Sequence, residues 1–143
     1  LVLFGSHHSP GIPDCAEFHL APPVKKIREI YTSCDIFLSP SWSEGCQLPP
    51  MEAMACGCAV VATNVGGIPD YTINGETVIA VPPKRPDLLS EALLGILRDD
   101  EKRQRLARAG HRHIQKYTWD RATNLLENTF DIILRDHPSI VVS

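Results

Sequence analysis

Two hydrophobic rhythms divide the chain. In its first half, apolar residues cluster in short runs, at positions 1–4, 36–38, 58–63 and 77–81, whereas beyond residue 86 they recur in steps of three and four. Short runs of this kind predict strands covered by helices on both faces of a parallel sheet, and the stepped pattern predicts amphipathic helices. Strands are expected over 1–6, 16–20, 35–39, 58–63 and 77–81. A helix is expected over 24–34, with Val24, Ile27, Ile30 and Tyr31 as its apolar stripe and Lys25, Lys26, Arg28 and Glu29 on the other side. The Pro- and Gly-containing stretches at 7–14 and 21–23 read as connections, and Asn74-Gly75 as a tight turn.

Three helices are expected to close the chain. Asp87 can cap the first, whose stripe is Leu88, Leu89, Ala92, Leu93, Ile96 and Leu97. The second, 101–117, is strongly charged, with Leu106, Ala109, Ile114 and Tyr117 inward; His111 and His113 read as surface residues. Thr118 can cap the third, whose apolar side is Trp119, Ala122, Leu125, Leu126, Thr129, Phe130 and Ile133. His137-Pro138 should end that helix and 139–143 should form a tail. Strands alternating with helices make the chain α/β with a parallel sheet.

One stretch stands out chemically. Between the strands at 35–39 and 58–63 lie a small polar loop and a short helix, opened by Pro49 and Pro50 and closed by Gly57. Glu44 precedes that helix and Glu52 lies in its early turns. Free N–H groups at a helix start attract an anion such as a diphosphate. Two carboxylates there would repel phosphate, so their natural partners are hydroxyls, and the loop reads as a site for a nucleotide sugar. The residues alone leave a second reading open, in which Glu52 complements the helix dipole and Glu44 is a solvated loop acid. The loop Gly66-Gly67-Ile68-Pro69-Asp70, at the carboxyl end of a strand, could face a ligand or be an ordinary tight turn.

Composition narrows the classes. A chain of 143 residues is one domain's worth, and 43% apolar with 22% charged residues is ordinary for a globular domain. A net charge of -3 gives no electrostatic case for nucleic acid. No apolar run approaches the ~20 residues needed to cross a bilayer, and no signal peptide is visible. Five cysteines, Cys15, Cys34, Cys46, Cys56 and Cys58, form no regular disulfide framework. Cys34, Cys56 and Cys58 should pack as small apolar residues in a reducing, cytoplasmic setting. His7-His8 is not expected to bind metal, because adjacent histidines in a strand face opposite ways and, of the nearby Cys, Asp and Glu, only Asp14 has ligand spacing.

The string 40–57, Pro-Ser-Trp-Ser-Glu-Gly-Cys-Gln-Leu-Pro-Pro-Met-Glu-Ala-Met-Ala-Cys-Gly, resembles the signature of retaining GT-B glycosyltransferases of family 4. The likeness continues through Ala59 to Thr63, Gly66 to Asp70, Asn74-Gly75, Val81-Pro82-Pro83 and Tyr117-Thr118-Trp119. The resemblance implies an incomplete C-terminal, donor-binding domain of a two-domain GT-B fold, a Rossmann-like doubly wound parallel sheet with C-terminal helices, spanning 1–143. It implies transfer of a sugar from a nucleoside-diphosphate donor to a saccharide or lipid-linked acceptor, in polysaccharide or glycoconjugate synthesis, without metal or other cofactor. Glu44 then holds the donor sugar and is the catalytic candidate. Glu52 holds the ribose, the amides of Gly45, Cys46, Gln47 and Leu48 meet the diphosphate or sugar, and Leu20 and Ala21 border the base.

Two departures bear on the donor. Cys46 and Gln47 stand where the family usually has an aromatic residue and glycine, so the Gln47 side chain could contact the sugar. The link 7–14 replaces a helix, as in a bacterial branch that builds polysaccharides. The family's domain also begins with a strand and helix that have no counterpart here, and that strand is central in the sheet. The chain is therefore expected to be part of a longer protein with a separate N-terminal acceptor domain. Any membrane contact is expected through that absent part, and the chain alone should show negligible transfer and either a seam between its first and third strands or an unusual pairing that closes it. Two alternatives are a GT-B-related epimerase or phosphorylase, and a non-catalytic module that binds a nucleotide or a partner protein.

Overall fold

The structure, a computed structural model, describes residues 1–8 and 10–136. In chain order the elements are β1 (Val2–Gly5), β2 (Glu17–Leu20), α1 (Val24–Thr32), β3 (Ile36–Ser39), α2 (Leu48–Ala55), β4 (Ala59–Thr63), α3 (Ile68–Tyr71), β5 (Ile79–Val81), α4 (Pro86–Leu97), α5 (Asp100–Ile114) and α6 (Trp119–Asp136). The five expected strands and five expected helices are all present, and α3 is added within the stretch read as a loop. The expected tail and the helix end at His137-Pro138 lie outside the described residues.

β4 is the centre of the molecule, with all five of its residues buried. Its side chains alternate. Val60 and Ala62 join Tyr31, Met54, Ile68, Tyr71, Val78 and Ile114 on one side of the sheet. Ala59 and Val61 meet Ile96 of α4 and Leu106 of α5 on the other. Helices thus cover both faces, which is why the strand reads as an unbroken apolar run. Gly57, at φ +89°, reverses the chain between α2 and β4 in a conformation that favours glycine.

The strands form two parallel sheets. β1 pairs with β2, Val2 opposite Glu17 through Gly5 opposite Leu20. β3, β4 and β5 pair in that order, with Ser39 opposite Ala62 and Thr63 opposite Val81. Among the described residues no ladder joins β1 to β3, so the expected seam is present. The two edges line a largely apolar groove of about 1090 Å³. Phe4 of β1 and Phe37 of β3 each set a ring 5.6 Å from that of Tyr31, edge to face, bridging the two sheets on one side.

Several local expectations need correction. β1 is half-buried rather than buried, because the groove leaves one edge uncovered. In α1 the stripe holds at Ile30 and Tyr31, but Val24 is 84% exposed, since the first turn projects beyond the packed part. Helix α4 starts at Pro86, and Asp87 sits within its first turn, paired with Arg85 instead of capping. Helix α5 starts at Asp100, one residue before the expected 101, and is capped by Asp99, which accepts from the Lys102 N–H at 2.9 Å. Its inner line is Leu106, Gly110 and Ile114; Tyr117 lies past its end. Thr118 does cap α6, accepting from the Arg121 N–H at 3.3 Å. None of α6's residues is buried, so its apolar side is uncovered among the described residues. No described helix is long and apolar enough to cross a membrane.

Candidate functional site

Because the strands within each sheet are parallel, the loops after β3, β4 and β5 emerge at the same end, where open α/β sheets bind ligands. Short bonds tie the three loops together. The Gly67 N–H donates to the Gly45 carbonyl at 2.9 Å. The Thr63 hydroxyl donates to the Ser41 carbonyl, and the buried Tyr71 hydroxyl donates to the Gln47 carbonyl at 2.8 Å. Lys84 Nζ lies 5.6 Å from the centre of the Trp42 ring. Gly66 explains the tight fit: at φ +55°, a Cβ on it would come 2.1 Å from the Gly45 carbonyl oxygen. The Gly66-Gly67 pair therefore serves first to dock the 41–47 loop.

That loop presents the chemistry. Among the described residues, the backbone N–H groups of Gly45, Cys46, Gln47 and Leu48 have no protein acceptor. Pro49 and Pro50, which follow at the start of α2, carry no N–H at all. Unpaired backbone donors at a loop and helix start are the kind of group that attracts an anion. Glu44 is exposed beside them, and its Oε1 accepts from the Ser41 hydroxyl at 2.8 Å.

Glu44, Cys46, Gln47 and Leu48 all line the groove between β1 and β3. Glu52 does not line it. Its Oε2 accepts instead at 3.1 Å from the hydroxyl of Tyr31, which does. Leu20 and Ala21 stand apart at the carboxyl end of β2, both exposed and outside the groove lining, with Ala21 at φ +44°. The Gln47 side chain is only 3% exposed. Its Oε1 accepts from the Ser39 hydroxyl at 3.4 Å, and its Nε2 has no partner among the described residues.

Burial pushes the Tyr31 hydroxyl well above its ordinary range, helped by the Glu52 charge, and burial does the same to Tyr71. Both therefore stay protonated donors. Burial likewise pushes the Cys58 thiol up to about 12. Cys58 packs as an apolar residue, donating weakly to the Tyr31 and Cys34 carbonyls. Cys34 and Cys56 are half-buried, while Cys15 and Cys46 are exposed. His113 is half-buried, its ring 5.9 Å from that of Tyr117, and exposed His111 places Nδ1 3.3 Å from the Met54 carbonyl oxygen. Among the described residues no three His, Cys, Asp or Glu side chains are arranged to hold a metal ion.

Sequence reasoning missed Tyr31, Tyr71, Thr63 and Lys84 as site-building residues. Tyr31 looked like one more member of an apolar stripe, and nothing in its spacing shows that its hydroxyl reaches a residue 21 positions away. Lys84 sits at φ +60°, a backbone conformation that no pattern of apolar residues signals.

The chain is 34% identical over 122 residues to the D-inositol 3-phosphate glycosyltransferase of Corynebacterium diphtheriae, covering 85% of this chain and 29% of that one. It superposes on the sucrose-phosphate synthase of Thermosynechococcus elongatus with a TM-score of 0.77 at 27% identity, over 86% of this chain and 31% of that one. The C-terminal domain of a group 1 glycosyl transferase, LpcC, from Francisella tularensis matches with a TM-score of 0.65 at 29% identity, over 71% of this chain and 52% of that domain. The chain thus spans under a third of the curated relative's length, and its α/β architecture is that of the C-terminal domain of GT-B glycosyltransferases. Residues 6–113 match the family described as glycosyl transferases group 1, and the chain belongs to that family.

Proposed function

We propose that this chain is the donor-binding part of a retaining glycosyltransferase, which moves a sugar from a nucleoside-diphosphate donor to a saccharide or lipid-linked acceptor in polysaccharide or glycoconjugate synthesis. The observation that carries the reading is the row of four N–H groups from Gly45 to Leu48, unpaired among the described residues, beside Glu44. Departure of a nucleoside diphosphate leaves charge on phosphate oxygens, and fixed amides stabilise that charge without a side-chain acid or a metal. Glu44 accepts from the sugar hydroxyls and Glu52 from the ribose. Leu20 and Ala21, exposed at the end of β2, border the base. The Gln47 amide, sealed beneath the loop, shapes the floor of the site rather than reaching out to the sugar.

The acceptor domain and the strand that fills the β1–β3 groove belong to a longer protein, and the chain alone transfers little or no sugar. The edges of β1 and β3, unpaired among the described residues, fit a strand lying in that groove. The protein works in the cytoplasm, and any contact with the inner face of the membrane is made by the longer protein's other part.

Calorimetric titration of the intact protein with UDP, GDP, ADP and their glucose conjugates tests the reading. One nucleoside diphosphate should bind, and Glu52→Ala should weaken it by roughly 10- to 100-fold. No binding by any of them, or a dissociation constant unchanged in Glu52→Ala, contradicts the assignment.

A further inference from the structure

Glu52 is exposed, and an exposed glutamate samples many rotamers; fixing one costs entropy on the order of 1–2 kcal/mol. Among the described residues one hydrogen bond restrains its side chain. Tyr31 is 3% exposed, and its ring is held edge to face between Phe4 and Phe37 at 5.6 Å from each. Its hydroxyl donates to Glu52 Oε2 at 3.1 Å. The donor is neutral, so this contact is a hydrogen bond and not an ion pair. Among the described residues Oε1 has no partner, and Oε2 keeps a second acceptor position. Three acceptor positions thus stay free on a carboxylate whose orientation is set from beneath. A cis-diol needs just such an acceptor, since its neighbouring hydroxyls can donate to one planar group together.

We propose that Tyr31 is a positioning residue that holds the Glu52 carboxylate in the orientation that accepts a ribose diol. The proposal rests on the donor-binding reading above and adds to it a residue from α1 that touches no ligand. It also links nucleotide recognition to the packing between the two sheets, because the same ring bridges Phe4 of β1 and Phe37 of β3.

Tyr31→Phe keeps the ring and both aromatic contacts and removes only the hydroxyl. The test uses the intact protein and whichever of UDP, GDP or ADP binds it most tightly, together with the 2′,3′-dideoxy analogue. The wild type should prefer the ribonucleotide. Tyr31→Phe should weaken the ribonucleotide about 5- to 10-fold and the dideoxy analogue less than about twofold, so that the preference shrinks. The readout is the ratio of the two dissociation constants, which general loosening of the fold leaves unchanged. If Tyr31→Phe keeps the wild-type ratio while Glu52→Gln abolishes it, the positioning role is wrong and the ribose role of Glu52 stands. If the wild type itself does not distinguish the two ligands, the ribose reading falls and the Tyr31 proposal falls with it.

Discussion

At the scale of single residues, environment separates groups that the sequence presents as alike. Five cysteines carry the same thiol, yet Cys58 is buried with its thiol pushed up to about 12 while Cys15 and Cys46 are exposed. Thiolates are the reactive form, so DTNB or iodoacetamide should label Cys15 and Cys46 quickly in the native chain and leave Cys58 unlabelled until it unfolds. Rapid native labelling of Cys58, read by peptide mass spectrometry, would show that it is not packed as described. The raised value also has a consequence for stability. Above its ordinary 9.0 the unfolded thiol loses its proton and the folded one does not, so the Cys58 contribution is lost as pH rises towards about 12. The two glutamates were legible as candidates because their types and spacing are explicit, though only Glu44 lines the groove. Their supports were not, because the Tyr31 hydroxyl and the Gly66 φ of +55° are products of tertiary packing.

At the scale of elements, close approach decides what each helix can accept. Gly110 lies where α5 crosses the core, and a Cβ there would come 2.9 Å from the Thr77 carbonyl oxygen and 3.4 Å from Met54 Cε. Gly95 in α4 faces nothing nearer than Lys102 Nζ at 3.9 Å. Alanine should therefore act in opposite directions: Gly110→Ala should destabilise by about 1–3 kcal/mol through overpacking, and Gly95→Ala should stabilise by about 0.5–1 kcal/mol through helix propensity. Urea denaturation measures both, and equal effects would contradict the packing of α5. The element order was legible because β4 is buried on both faces and α4 and α5 on one, leaving unbroken and stepped patterns respectively. Boundaries and caps were less so. The pairing of Asp87 with Arg85, two residues before it, competes with a capping role, and the apolar pattern does not report that choice.

At the scale of the molecule, two features have no counterpart within the described residues: the groove between β1 and β3, and the apolar side of α6. If a strand of a longer protein fills the groove, the groove-side amides of β1 and β3 should exchange with solvent rapidly in the 143-residue chain and at least about 100-fold more slowly in the longer protein. Equal exchange in the two would leave the edges unexplained by a missing strand. The uncovered α6 side, including Leu125, Leu126 and Phe130 at 67%, 53% and 54% exposure, shows that an amphipathic pattern predicts a helix but not what covers it.

The central claim is that loops at the carboxyl end of the sheet hold a sugar on Glu44 and its departing diphosphate on the neighbouring amides. The rate of sugar transfer by the intact protein, wild type against Glu44→Ala, tests it most directly. A fall of roughly 30- to 1,000-fold with the melting temperature unchanged is the predicted result. Transfer at the wild-type rate would contradict it.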